Sequence, residues 1–134
     1  VTVDFSWSLT LPCTQISVLL AGRLAGAAVR VLGVGSAASG DLRENVHAAG
    51  GYVVTCSRAT AFRVVITVAG SRCQVVVTDC EFVSRAPPEH GGSDGADTAK
   101  RAMMLRQLSA RADAVEVRDN EGGGVLIRFD VQLP

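Results

Sequence analysis

Two runs of alternating apolar residues sit almost back to back near the middle of this chain. Phe62, Val64, Ile66 and Val68 alternate with Arg63 and Thr67; Cys73, Val75 and Val77 alternate with Gln74 and Thr78. A period of two puts the apolar side chains of each run on one face of a strand. Only Ala69-Gly70-Ser71 separates the runs, and a glycine-containing gap of this length reads as a hairpin turn. Parallel strands need a crossover of roughly a dozen residues or more, so this pair is antiparallel. Strands with one apolar face must be covered on that face, and the flanking sequence supplies helices to do it.

Upstream, Phe5, Trp7, Leu9 and Leu11 alternate with Ser6, Ser8 and Thr10, a first strand closed by Pro12. Thr14 suits the N-cap of a helix beginning just after it. Ile16, Leu19, Leu20, Leu24, Ala27, Ala28 and Val31 recur at helical spacing and predict a helix to about Leu32, stopped by Gly33 and Gly35. Gly22 and Gly26, one turn apart, permit another element to approach this helix closely. Ser39 is the expected cap of a second helix, roughly Gly40–Thr55, with Leu42, Val46, Ala49 and Val53 as its apolar stripe. Gly50 and Gly51 weaken it.

Downstream of the hairpin, residues 80–98 contain Pro87-Pro88, Gly91-Gly92 and Gly95 without any period. This is a long loop of the kind that carries function or is disordered. Asp97 or Thr98 is the expected cap of a third helix that buries Met104, Leu105, Leu108 and Ala112, and the Met103-Met104 pair reads as core. Val115 and Val117 begin a short strand, residues 119–124 form a turn, and Val125, Ile127, Phe129, Val131 and Leu133 make the last strand. The predicted fold is α+β: one mostly antiparallel five-stranded sheet with three helices on one face, a single domain over residues 1–134.

Hydrophobic residues make up 48% of the 134, enough to build a core. Thirteen basic residues balance thirteen acidic ones, which argues against dedicated nucleic-acid binding or a polybasic membrane contact. Arg supplies twelve of the thirteen basic residues, a bias that points to a GC-rich bacterial genome. The most apolar stretch, Ile16 to Val34, is interrupted by Arg23 and Arg30 and is not expected to span a membrane. Residues 1–12 lack the basic start and apolar run of a signal peptide, so a cytoplasmic location is expected, with Cys13, Cys56, Cys73 and Cys80 reduced. These cysteines contain no C-x-x-C pair and predict no zinc site. His47 and His90 have no partner motif for nucleophilic catalysis. Gly91-Gly92-Ser93-Asp94-Gly95 lies before a helix, where free backbone N–H groups can hold a phosphate.

Several short motifs occur in an order that spans the whole chain. They are Ser8-Leu9-Thr10-Leu11-Pro12, Asp41-Leu42-Arg43, Val75-Val76-Val77-Thr78-Asp79, Leu105-Arg106-Gln107-Leu108, Val115-Glu116-Val117, and Gly122-Gly123-Gly124 leading to Arg128-Phe129. In order and spacing the chain resembles the bacterial anti-sigma factor and switch-protein serine kinases of the histidine-kinase-like ATPase superfamily. That resemblance implies a two-layer α/β sandwich with residues 80–98 as a lid-like loop.

The family's nucleotide motifs are matched poorly. Its second helix presents a Glu and, four residues on, a magnesium-binding Asn; counted from Asp41 these positions hold Ala48 and Tyr52. An alternative register uses Asp41 and Asn45. Asp79 matches the Asp that accepts from the adenine amino group, but the glycines after it fall on Glu81 and Val83. The Gly-x-Gly opening the third helix falls on Ala99 and Arg101, and the Thr after the final glycines is Val125. Lys100 and Arg101, with Gly91, Gly92 and Gly95, are the remaining candidates for phosphate contact. The resemblance therefore implies a degenerate, pseudokinase-like regulator of transcription that needs no cofactor. Its implied partners are a sigma factor and an anti-anti-sigma protein, and its implied assembly a homodimer. The competing expectation is an active Mg·ATP-dependent serine/threonine kinase acting on the anti-anti-sigma protein. Tyr52 is expected to fill the vacated cleft, and Asn45 to lie on the surface.

Overall fold

Alternation and helical spacing resolve into eight elements. The computed structural model describes residues 4–80, 94–119 and 124–134. In chain order these are β1 (Phe5–Pro12), α1 (Gln15–Arg30), α2 (Ser36–Cys56), β2 (Ala61–Ala69), β3 (Arg72–Cys80), α3 (Asp94–Arg111), β4 (Asp113–Asp119) and β5 (Val125–Gln132). The strands form one sheet in the order β1-β2-β3-β5-β4, and every neighbouring pair is antiparallel. The fold is α+β, with the layering of a two-layer α/β sandwich. Gly70, at φ +62, begins the tight turn between β2 and β3, a backbone conformation that glycine adopts without penalty. β4 enters the sheet irregularly: its register against β5 shifts between Asp113 and Glu116, and Ala114 there has φ +51.

Alternation sets what faces the helices. From β2, Phe62, Val64, Ile66 and Val68 point inward; from β3, Cys73, Val75, Val77 and Asp79; from β5, Val125, Ile127, Phe129 and Val131. α2 is the central helix, packed between α1 and α3 and lying over β2, β3 and β5. Its predicted stripe of Leu42, Val46, Ala49 and Val53 is fully buried.

Helix boundaries differ from expectation. α2 starts at Ser36, with extended Gly35 as its N-cap. Ser39 is thus inside the helix, and its hydroxyl donates to the Ser36 carbonyl at 3.2 Å instead of capping. Ala37 and Ala38, strong helix formers, explain the extra turn. α3 starts at Asp94, ahead of Asp97 and Thr98, so Gly95 lies in its first turn and residues 94–98 are helical. Cys80 belongs to β3. Met104 is buried as expected, but Met103 is half exposed.

α1 does not bury the large apolar residues whose spacing marks it as a helix. Thr14 caps it as predicted, accepting from the Ser17 amide at 3.1 Å. The helix then buries Ser17, Val18, Ala21, Gly22, Ala25, Gly26 and Val29, whereas Ile16, Leu19, Leu20, Leu24 and Val31 are exposed. The glycines give the reason. A Cβ on Gly22 would lie 2.9 Å from the Arg43 carbonyl oxygen, and one on Gly26 would lie 3.2 Å from that of Ser39. α1 and α2 meet backbone to backbone, and only the small-residue side of α1 allows that approach.

Candidate functional site

Asp79 is the inward-facing residue near the end of β3, paired in register with Phe62 of β2. Its carboxylate does not face open solvent. The hydroxyl of Ser57, the residue capping the C-terminus of α2, donates to Asp79 Oδ2 at 2.5 Å. The same hydroxyl oxygen accepts from the Ala59 amide at 3.0 Å, which fixes the turn into β2. Both side chains are buried. Gly124 lies against the other carboxylate oxygen: a Cβ built there would sit 3.5 Å from Oδ1. The Thr78 hydroxyl donates to the Val125 carbonyl at 3.3 Å, tying the strand ends together beside this cluster. Asp79 thus joins the end of α2, the end of β3 and the start of β5.

Ala48 and Tyr52 lie on one face of α2 and are both buried. α3 packs on this helix, and the Met104 sulfur would be 3.2 Å from a Cβ on Gly51. The expected burial of Tyr52 is met. Asn45 departs from expectation, because it is wholly buried instead of lying on the surface. With α2 starting at Ser36, Asn45 falls three residues after Leu42 and next to Val46, on the packed side of the helix. Asp41 is exposed, so the alternative register joins a solvent-facing acid to a core amide. Ala99 and Lys100 are exposed and Arg101 half-buried. All three lie beyond the first turn of α3 rather than at its opening, away from the free N–H groups that favour anions. The Arg101 Nε is buried, with no hydrogen-bond partner among the described residues. Val125 is buried core. Glu81, Val83, Gly91, Gly92 and His90 lie outside the described residues.

Magnesium requires oxygen ligands and an adenine-reading Asp requires a free acceptor. Ala48 provides no oxygen and Tyr52 offers a phenol where an amide is needed, whereas Asp79 accepts from Ser57 through Oδ2 and has a second carboxylate oxygen. Ala48 and Tyr52 do not fit as magnesium ligands of a bound Mg·ATP.

A second feature lies on the other side of α2. A shallow groove of about 200 Å³ runs between α1 and the start of α2, with Arg23, Arg30 and Arg43 among its lining residues. Its floor is small, including Gly26, Ala27 and Gly40. All three arginines are exposed. Sequence reasoning did not single out this groove, nor Ser57. Burial of the small-residue side of α1 is what turns Arg23 and Arg30 toward Arg43, and the Gly22/Gly26 pair was the one signal of it.

Compared with known proteins, the chain matches no family model and no curated protein. Among the described residues, no helix is long and apolar enough to cross a membrane.

Proposed function

We propose that this chain is a regulatory protein of the anti-sigma type, which sequesters a transcription-factor partner through a protein surface and has lost phosphoryl transfer. The observation that carries the reading is the Ser57–Asp79 hydrogen bond. The one nucleotide-family residue that the sequence retains is employed in holding α2 to the sheet. The burial of Ala48 and Tyr52 supports the same view, because residues at the family's ligand positions serve as packing. In this reading the partner is a sigma factor, the antagonist an anti-anti-sigma protein, the assembly a homodimer and the location the bacterial cytoplasm.

The test is a thermal melt with and without millimolar Mg·ATP. A ligand at a hundredfold excess over its Kd stabilises the folded state by about 2.7 kcal/mol, which a melting curve reads easily. The expected result is an unchanged midpoint in Mg·ATP and co-purification of a sigma factor from the host in its absence. A magnesium-dependent rise in the midpoint would favour an active serine/threonine kinase instead.

A further inference from the structure

α1 leaves an apolar strip uncovered along its outer side. Ile16, Leu20, Leu24 and Val31 are 81%, 43%, 38% and 85% exposed. Single exposed aliphatic residues are ordinary, but a strip along the whole of one helix marks an interaction surface. On the α2 side of the strip, Arg23 and Arg30 meet Arg43 around the groove between the two helices. None of the three guanidinium groups makes a hydrogen bond or ion pair among the described residues. The charged residues that line the groove are all basic, and no Asp or Glu occurs on α1. A chain neutral overall has gathered positive charge beside its exposed leucines.

Charge decides among the occupants. A second copy laid face to face on α1 would set arginines against arginines, which is destabilising. A membrane surface is held by many basic residues and favours aromatic side chains on the apolar face; α1 has two arginines and no aromatic residue. Its charges also converge on a groove that admits a side chain, unlike a layer facing a plane of headgroups. We propose that the outer face of α1 docks a protein partner through an amphipathic acidic segment. The segment's aliphatic side chains cover Ile16, Leu20, Leu24 and Val31, and its Asp or Glu carboxylates enter the groove of Arg23, Arg30 and Arg43. The proposal rests on the reading that the chain acts by binding a partner, and it names the surface and the partner's chemistry.

The test uses the full chain and two synthetic helical peptides with the same leucine stripe, one flanked by Glu and the other by Lys. The expected result is that the Glu peptide shifts backbone amide resonances of residues 16–31 and 36–43 in a titration. Binding weakens with added salt and falls about tenfold or more in Leu20→Ser/Leu24→Ser, through loss of apolar contact. The Arg23→Glu/Arg30→Glu variant loses the Glu peptide and gains the Lys peptide. Each variant keeps the wild-type circular dichroism and melting midpoint, since all four positions face solvent. Equal binding of both peptides, or shifts confined to other elements, overturns the proposal. So does preferential binding to phosphatidylglycerol vesicles, or a dimer that Leu24→Glu dissociates. Affinity capture from the host, with wild type and Leu20→Ser/Leu24→Ser as baits, separates the two readings. A transcription factor recovered equally by both baits leaves the proposed function standing and removes this face. Peptide discrimination with no transcription factor recovered does the reverse.

Discussion

Ser57 and Asp79 act as one unit at the point where α2 ends. Removing either partner leaves a buried polar group without its hydrogen bond, which costs about 1–3 kcal/mol. Ser57→Ala and Asp79→Ala are each expected to lower stability by an amount of that order in urea unfolding. The double variant should lose less than their sum, with a coupling of about 0.5–3 kcal/mol. Cys73 provides a pH-dependent test. Burial on the inner face of β3, and secondarily the nearby Asp130 carboxylate, push its thiol up to about 11. The folded-state pKa lies above the unfolded value, so the stability linked to this thiol is complete below about pH 9 and is lost as pH rises toward 11. Relative to Cys73→Ala, the wild-type protein should lose about 2–3 kcal/mol across that window, because raising a pKa by one is worth about 1.4 kcal/mol. Alternation along β3 made the inward direction of Asp79 legible, since it continues the series Cys73, Val75 and Val77. Its partner was not legible: Ser57 is 22 residues away, and their meeting depends on where the end of α2 comes down on the sheet.

Helix α1 was readable as an element, but the side it buries was not. Counting large apolar residues selects Ile16, Leu20 and Leu24 as the core side, because glycine and alanine carry little hydropathy. The packing followed closeness of approach instead. Gly22 faces the Arg43 carbonyl oxygen so tightly that a methyl group would lie 2.9 Å from it, and backbone cannot yield as a flexible side chain can. Gly22→Ala should therefore lower the melting point, the overpacking cost of about 1–3 kcal/mol exceeding the gain in helix propensity of about 1 kcal/mol. Gly40 is the control. It lies within α2 with nothing within 4 Å of a built Cβ, so Gly40→Ala should raise stability by about 0.5–1 kcal/mol. Opposite signs for one chemical change in adjoining helices would establish that clearance, not glycine content, governs this interface. α2 starts earlier than its sequence implies because extended Gly35 serves as its cap with no side-chain hydrogen bond to signal it.

At the scale of the molecule, strand existence and the antiparallel pairing of β2 with β3 were legible, since a short turn dictates them. The insertion of β5 between β3 and β4 was not, because no local pattern states which strands adjoin. The resulting arrangement gives the three helices unequal holds on the sheet. α2 contributes Leu42, Val46, Tyr52, Val53 and Val54 to the core, whereas the largest residues α1 contributes are Val18 and Val29. Lifting α1 away would bare mostly alanine and glycine, and the free energy of a local opening follows the apolar area it uncovers. Deuterium should therefore reach the amides of residues 18–29 through a partial opening, at a free energy below that for residues 42–54, in native-state exchange across a denaturant series. A helix whose buried side is mostly alanine and glycine also gives the protein a reporter on its hidden side. Anything that clasps the outer surface of α1 must slow exchange at Val18 and Val29, residues it never touches.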